Sequence, residues 1–213
     1  GLGKRYVGGL DLGRKVDPSV LWIMDAVERK AVYHHAFDTG VNWVTQRETI
    51  AHISGTWGLE KLMIDATGLG DVFCDELSEM DVPVNPYIIG SPAARDSLLN
   101  TLAVSIEKSD IAFPATPALL RQLRAFQARR QPSGHFRFEA PPGEHDEEVF
   151  ALALALQACD DPLAVYGVDG YSTTQYMPSD DEVYYGIDSG VERMLQQRQT
   201  QKMRERMERA GIL

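Results

Sequence analysis

Three carboxylates occupy matching places in the chain. Asp11 closes the apolar run Tyr6-Val7-Gly8-Gly9-Leu10, with glycines on both sides. Asp65 closes the run Lys61-Leu62-Met63-Ile64, and Asp146 stands just ahead of the apolar stretch that begins at Val149. An acid in a run that otherwise reads as buried strand is disfavoured by propensity and by burial, so a bound cation or a catalytic role is the expected compensation. Three carboxylates brought together repel one another and titrate upward, a penalty that a divalent cation removes. No His or Cys stands at metal-ligand spacing near them, so ligation by oxygen alone is expected, which suits Mg²⁺ or Mn²⁺ rather than zinc. Two such ions roughly 4 Å apart hold a phosphate, activate a water and stabilise the leaving oxygen. The chemistry implied is phosphodiester hydrolysis.

Each acid also has a plainer reading. Asp11 can end its strand and start a turn with Gly13. Asp65 can cap the turn Ala66-Thr67-Gly68-Leu69-Gly70, and Asp146 can be a helix N-cap. These readings must together explain three strand-end or helix-start acids. Asp17 and Glu147 are further candidates for a second metal ion. Their plainer readings are a turn residue before Pro18 and a solvated first-turn acid. Asp71 reads as helix-start chemistry, and His145 as a proton shuttle or a surface histidine.

The elements that must position these acids follow from patterning. Tyr6–Gly13, Ser19–Ala26 and Lys30–Phe37 read as strands whose short connections make an antiparallel meander. Thr45–Trp57 has helical spacing, Lys61–Asp65 is a fourth strand, Asp71–Met80 a helix and Val84–Ile89 a fifth strand. Helices are expected from Ser91 to about Lys108, with Leu98, Leu99, Leu102 and Ile106 as the buried stripe, and from Pro117 to about Gln127. Asp110–Pro114 is a brief extended piece. Arg129–Phe138 reads as a hairpin around Pro132-Ser133-Gly134, and Val149–Ala158 as the last core helix. The class is α/β: a mixed sheet, with a three-strand antiparallel meander plus parallel strands, flanked by helices and carrying an added β-hairpin. In that order the first and fourth strands can lie parallel and adjacent. Their C-terminal ends then share a crevice, where α/β sheets bind ligands.

Composition bounds the rest. The chain has 213 residues, 44% hydrophobic, with a formal net charge of −10. That suits one domain with an appended tail, and argues against a broadly basic nucleic-acid coat but not against a nuclease. Residues 1–159 are expected to form the domain. Residues 160–213 read as a linker rich in Asp, Tyr, Ser and Gly, followed by an amphipathic helical tail over 190–209. Cys74 and Cys159 read as buried free thiols. Neither a signal peptide nor a membrane-length apolar run is found. The first strand begins so near the start that a piece of something larger is expected.

The segments Gly9-Leu10-Asp11-Leu12-Gly13, Ile64-Asp65-Ala66-Thr67-Gly68-Leu69-Gly70-Asp71 and Gly143-Glu144-His145-Asp146-Glu147-Glu148-Val149-Phe150-Ala151-Leu152-Ala153 together resemble the nuclease domain of tailed-phage large terminase subunits, over about residues 5 to 159. The family often has paired aspartates where this chain has Asp146-Glu147. The resemblance implies a ribonuclease H-like fold, with Asp11, Asp65 and Asp146 as catalytic metal ligands. It implies cutting of concatemeric double-stranded DNA during packaging, with little sequence preference, in the host cytoplasm. The implied partners are an ATPase domain, the portal protein and the small terminase subunit, with no membrane. No G-x-x-x-x-G-K-[ST] loop occurs in the chain, so the motor is not expected within it. Such domains carry a hairpin near the active site, so Arg129, Arg130 and Arg137 suit phosphate contacts, as do Arg14 and Lys15.

Two other readings keep the fold. A branched-DNA resolvase predicts a basic dimer face that the acidic balance does not suggest. A non-catalytic DNA- or capsid-docking module predicts loss of an acid, yet all three are present. The actin-like sugar kinases share the first-strand turn but need a second matching domain and a longer chain.

Overall fold

The computed structural model describes residues 3–13, 17–67, 70–130, 136–139 and 145–160; of 128–130 and 136–139 it describes the backbone. The strands β1 (Tyr6–Asp11), β2 (Val20–Asp25) and β3 (Lys30–Ala36) form the expected meander. The helix α1 (Trp43–Trp57) leads to β4 (Lys61–Asp65), then α2 (Gly70–Ser78) to β5 (Val84–Tyr87). The sheet order is β3-β2-β1-β4-β5, with β1, β4 and β5 parallel. Three helices follow, α3 (Pro92–Glu107), α4 (Pro117–Ala125) and α5 (Glu147–Asp160), with the strands β6 (Gln127–Arg130) and β7 (Phe136–Glu139) paired antiparallel between α4 and α5.

The alternation of strand side chains sorts the core into two layers. Val7, Trp22, Met24 and Met63 pack with α3, α4 and α5. Leu10, Leu21, Ile23, Leu62 and Ile64 pack with Ile50, Ile53, Phe73 and Leu77 of α1 and α2 on the opposite face. The helix α5 is buried almost all round, as its uniformly apolar sequence requires. It lies directly on β1, because Gly9 has no side chain to hold it off. A Cβ at Gly9 would stand 2.1 Å from the Ala155 nitrogen and 2.3 Å from the Ala151 oxygen.

Local chemistry sets most boundaries near those expected. Asn42 caps α1, its side chain accepting from the Thr45 amide, so this helix starts two residues earlier than its periodicity suggests. The helix α5 likewise starts at Glu147 rather than Val149 and extends to Asp160, a residue assigned from sequence to the linker. Phe126 leaves α4 in extended conformation. The Asp110–Pro114 segment makes an isolated parallel bridge, Lys30 to Ala112. Cys74 is buried as expected, whereas Cys159 is only half-buried. The hairpin turn Pro132-Ser133-Gly134, Arg14, Lys15 and the tail beyond Asp160 lie outside the described residues. Among the described residues no helix is long and apolar enough to cross a membrane.

Candidate metal centre

Two of the acids are brought together by sheet register. Leu10 pairs with Ile64 in the parallel β1–β4 ladder, so Asp11 and Asp65 come next on adjacent strands. The two-residue period puts both on the face that carries Val7, Gly9 and Met63, which is the face under α5. The close seat of α5 on Gly9 carries the start of that helix to the same edge.

Asp146 and Glu147 complete the group. The Asp11 carboxyl is pushed up to about 8, first by burial and then by Asp146, Glu147 and Asp65, while Arg95 acts in the opposite sense. All three partner acids thus lie within electrostatic reach of Asp11. An all-carboxylate donor set that holds a proton on one member near neutrality suits a hard divalent cation, which would replace that proton.

Asp65 and Asp146 are held by different neighbours. Asp65 Oδ1 accepts from the Thr67 amide (3.0 Å), the Thr67 hydroxyl (2.6 Å) and the Ile89 amide (3.4 Å). Its turn-capping reading is therefore correct, and it coexists with a place in the acid group. Gly70 allows this tight turn, since a Cβ there would stand 2.2 Å from the Asp65 carbonyl oxygen. Asp146 has the backbone role of an N-cap, its carbonyl accepting from the Phe150 amide at 3.0 Å. Its carboxylate instead takes Arg95 Nη2 at 2.6 Å, and the same guanidinium lies over the Phe150 ring at 4.4 Å.

Glu147 corrects the solvated reading, for it is buried. Its Oε2 accepts from Gln122 Nε2 at 3.2 Å and its Oε1 faces His145 Nδ1 at 3.0 Å. Asp17 joins from the first loop, its Oδ1 3.4 Å from the same Nδ1. Gly13 makes that return possible, because a Cβ there would stand 2.0 Å from the Asp17 carbonyl oxygen. Ligand atoms of Asp17, His145 and Glu147 all lie within 4.8 Å of one another. An imidazole therefore stands beside the carboxylates, where sequence spacing led us to expect oxygen donors alone. The His145 pKa is raised, chiefly by its hydrogen bond to Glu147, although the ring is exposed.

The adjacent Glu148 is turned elsewhere. It is buried, and both its oxygens lie about 3 Å from His34 Nε2, at 3.0 and 2.9 Å. The His34 ring stacks on Trp22 at 4.3 Å. In the hairpin, register sets Arg129 opposite Arg137, with Arg130 opposite Phe136.

Sequence reading missed Arg95, Gln122 and the His34–Glu148 pair. A signal existed for the first two. A cation in the first turn of a helix opposes the macrodipole and implies a nearby acid. Gln122 interrupts the apolar stripe Leu119, Leu123, Phe126, and a buried polar side chain needs partners.

No family model matches the chain. Over 166 residues, 78% of this chain, it is 29% identical to the terminase large subunit of Thermus virus P23-45. Its fold matches the large terminase nuclease of the thermophilic phage G20c with bound magnesium, with a TM-score of 0.66 and 27% identity over 74% of this chain and 82% of that one. By sequence and by fold the chain is related to the phage large-terminase nuclease domains. A similar match, with a TM-score of 0.66 and 26% identity over 80% of this chain and 84% of the other, is the Thermus phage P74-26 large terminase nuclease domain. The chain spans about a third of the length of the curated large terminase subunits it matches, 33%. The mixed five-strand sheet expected from sequence is thus the sheet of the large-terminase nuclease fold, ribonuclease H-like in kind.

Proposed function

We propose that this chain is a divalent-metal-dependent endodeoxyribonuclease that cuts concatemeric double-stranded viral DNA during genome packaging. The observation that carries the reading is the convergence on Asp11 of Asp65, Asp146 and Glu147, at the edge where β1 and β4 end. Residues 1–159 form the nuclease unit in this reading, and 160–213 a linker and helical tail. The setting is the host cytoplasm, with an ATPase domain, the portal protein and the small terminase subunit as partners. The large terminase subunits this chain resembles, and the magnesium-bound nuclease of G20c among them, support it.

Asp11, Asp65 and Asp146 would hold one Mg²⁺ or Mn²⁺ ion, and Glu147 with Asp17 a second. When bound, the ions would supply Lewis acidity and lower the pKa of a bound water, so that it loses a proton to solvent and supplies the hydroxide nucleophile. The protein's own groups prepare the place. Thr67 and the Ile89 amide fix the rotamer of Asp65. Arg95 balances the charge of Asp146. His145 Nδ1 stands 3.0 Å from Glu147 Oε1, and this contact is the main cause that raises its pKa. In this reading Arg129 and Arg137, paired in the hairpin register, serve as contacts to DNA phosphates.

The test is cleavage of supercoiled plasmid with Mn²⁺, Mg²⁺ or EDTA, comparing the chain with Asp65→Ala. Nicking that needs metal and disappears in the variant supports the reading. Equal activity in both proteins would assign the cutting to a contaminant. No cutting by either folded protein would favour the docking-module reading.

A further inference from the structure

We infer that Gln122 is a positioning residue for the metal centre: it caps α5 from a neighbouring helix, freeing the Asp146 carboxylate, and it aims the Glu147 carboxylate. The inference deepens the proposed nuclease reading and rests on it.

The geometry is specific. An N-cap side chain ordinarily accepts from the amides two and three residues on. Asp146 stands at that place before α5, so its own carboxylate would be expected on the amides of Glu148 and Val149. Gln122 Oε1 occupies both, at 2.9 and 3.3 Å. Asp146 is thereby left to face Arg95 and the acid group. At its other end the same amide donates Nε2–H to Glu147 Oε2 at 3.2 Å, leaving Oε1 toward His145. Gln122 is itself buried, so neither end has water as an easy substitute. A glutamine is suited to this place because one planar group offers an acceptor to helix amides and a donor to a carboxylate. A carboxylate there could not donate, and a lysine could not accept.

Groups that orient metal ligands without touching the metal typically change affinity by about 10- to 100-fold when removed. The test is Gln122→Met, which keeps volume and loses both ends of the amide. Mn²⁺ binding by the DNA-free chain is read by calorimetry, and plasmid nicking is read as a function of Mn²⁺ concentration. Ile53→Ala, in the core layer on the opposite face of the sheet, serves as a control of lowered melting temperature. The expected result is an Mn²⁺ Kd weakened about tenfold or more in Gln122→Met. Its nicking should recover toward the wild-type maximum at raised Mn²⁺, with the Kd of Ile53→Ala unchanged. Wild-type Mn²⁺ affinity in Gln122→Met overturns the inference, as does an equal loss in Ile53→Ala. Glu147→Gln and Asp65→Ala separate the two levels. If Asp65→Ala loses metal while Glu147→Gln keeps full affinity, the positioning inference falls and the nuclease reading stands. If neither variant changes Mn²⁺ binding, both fall.

Discussion

Asp11 and Asp65 end neighbouring parallel strands, each one residue past the Leu10–Ile64 pair. Sheet register alone therefore fixes two acids of the group against each other before any helix contributes. Asp146 and Glu147 join them through the way α5 docks on that edge.

The first consequence concerns pH. Folding raises the Asp11 carboxyl to about 8, mainly by burial and then by its acidic neighbours. An unfolded aspartate titrates near 4, so between about pH 4 and 8 the folded chain holds a proton that the unfolded chain releases. Stability in EDTA should therefore fall as pH rises through that window. Thermal melts at pH 5, 6, 7 and 8 should show the decline in wild type and a flatter profile in Asp11→Asn. Mn²⁺ should reverse the decline in wild type only. Calorimetry in buffers of different ionisation enthalpy should register proton release on Mn²⁺ binding near pH 7.

Arg95 gives a separable effect. Its guanidinium bonds Asp146 and covers Phe150, yet it is partly exposed. An exposed ion pair and a cation–π contact each contribute up to about 1 kcal/mol. Arg95→Ala should cost about 1 kcal/mol in metal-free urea unfolding. It should also move the pH-dependent decline to higher pH, since Arg95 opposes the rise of Asp11.

The two strand glycines should behave differently. At Gly9 an added Cβ meets backbone atoms of α5, whereas at Gly8 it meets the flexible Leu62 Cδ1 at 2.7 Å. Backbone cannot give way as a leucine end can. Gly9→Ala should cost about 3 kcal/mol or more. Gly8→Ala should cost visibly less in the same denaturant titration, and only Gly9→Ala should weaken Mn²⁺ binding.

DNA contact by the hairpin predicts a change in salt dependence rather than in metal binding. Replacing Arg129, Arg130 and Arg137 by alanine should lower the slope of log affinity against log salt by about 2 to 3 for duplex DNA. Fluorescence anisotropy at several KCl concentrations measures it. An unchanged slope would remove the hairpin from the DNA interface.

Much of this arrangement was legible in the sequence because it rests on local rules. Apolar runs ending in Asp11 and Asp65, joined by one helical crossover, can be placed side by side from strand order alone. Glu147 is legible as a candidate for a second metal ion, but its burial is not, because α4 supplies the covering Gln122 from a different part of the chain. His145 is legible as a proton shuttle or a surface histidine, but its place beside Asp17 is not, since that link exists only once the first loop closes at Gly13. Convergence of side chains from separate elements leaves a weak trace in sequence, visible as a misplaced cation at Arg95 or a lone amide at Gln122.

The seat of α5 on Gly9 also bears on the order of events during synthesis. β1 and β4 leave the ribosome well before α5, carrying Asp11 and Asp65 on a sheet with one bare face. The helix α5, which covers that face together with α3 and α4, is the one that brings Asp146 and Glu147. A nascent or partly unfolded chain thus holds an incomplete set of acids, and the group is assembled only together with completion of the core.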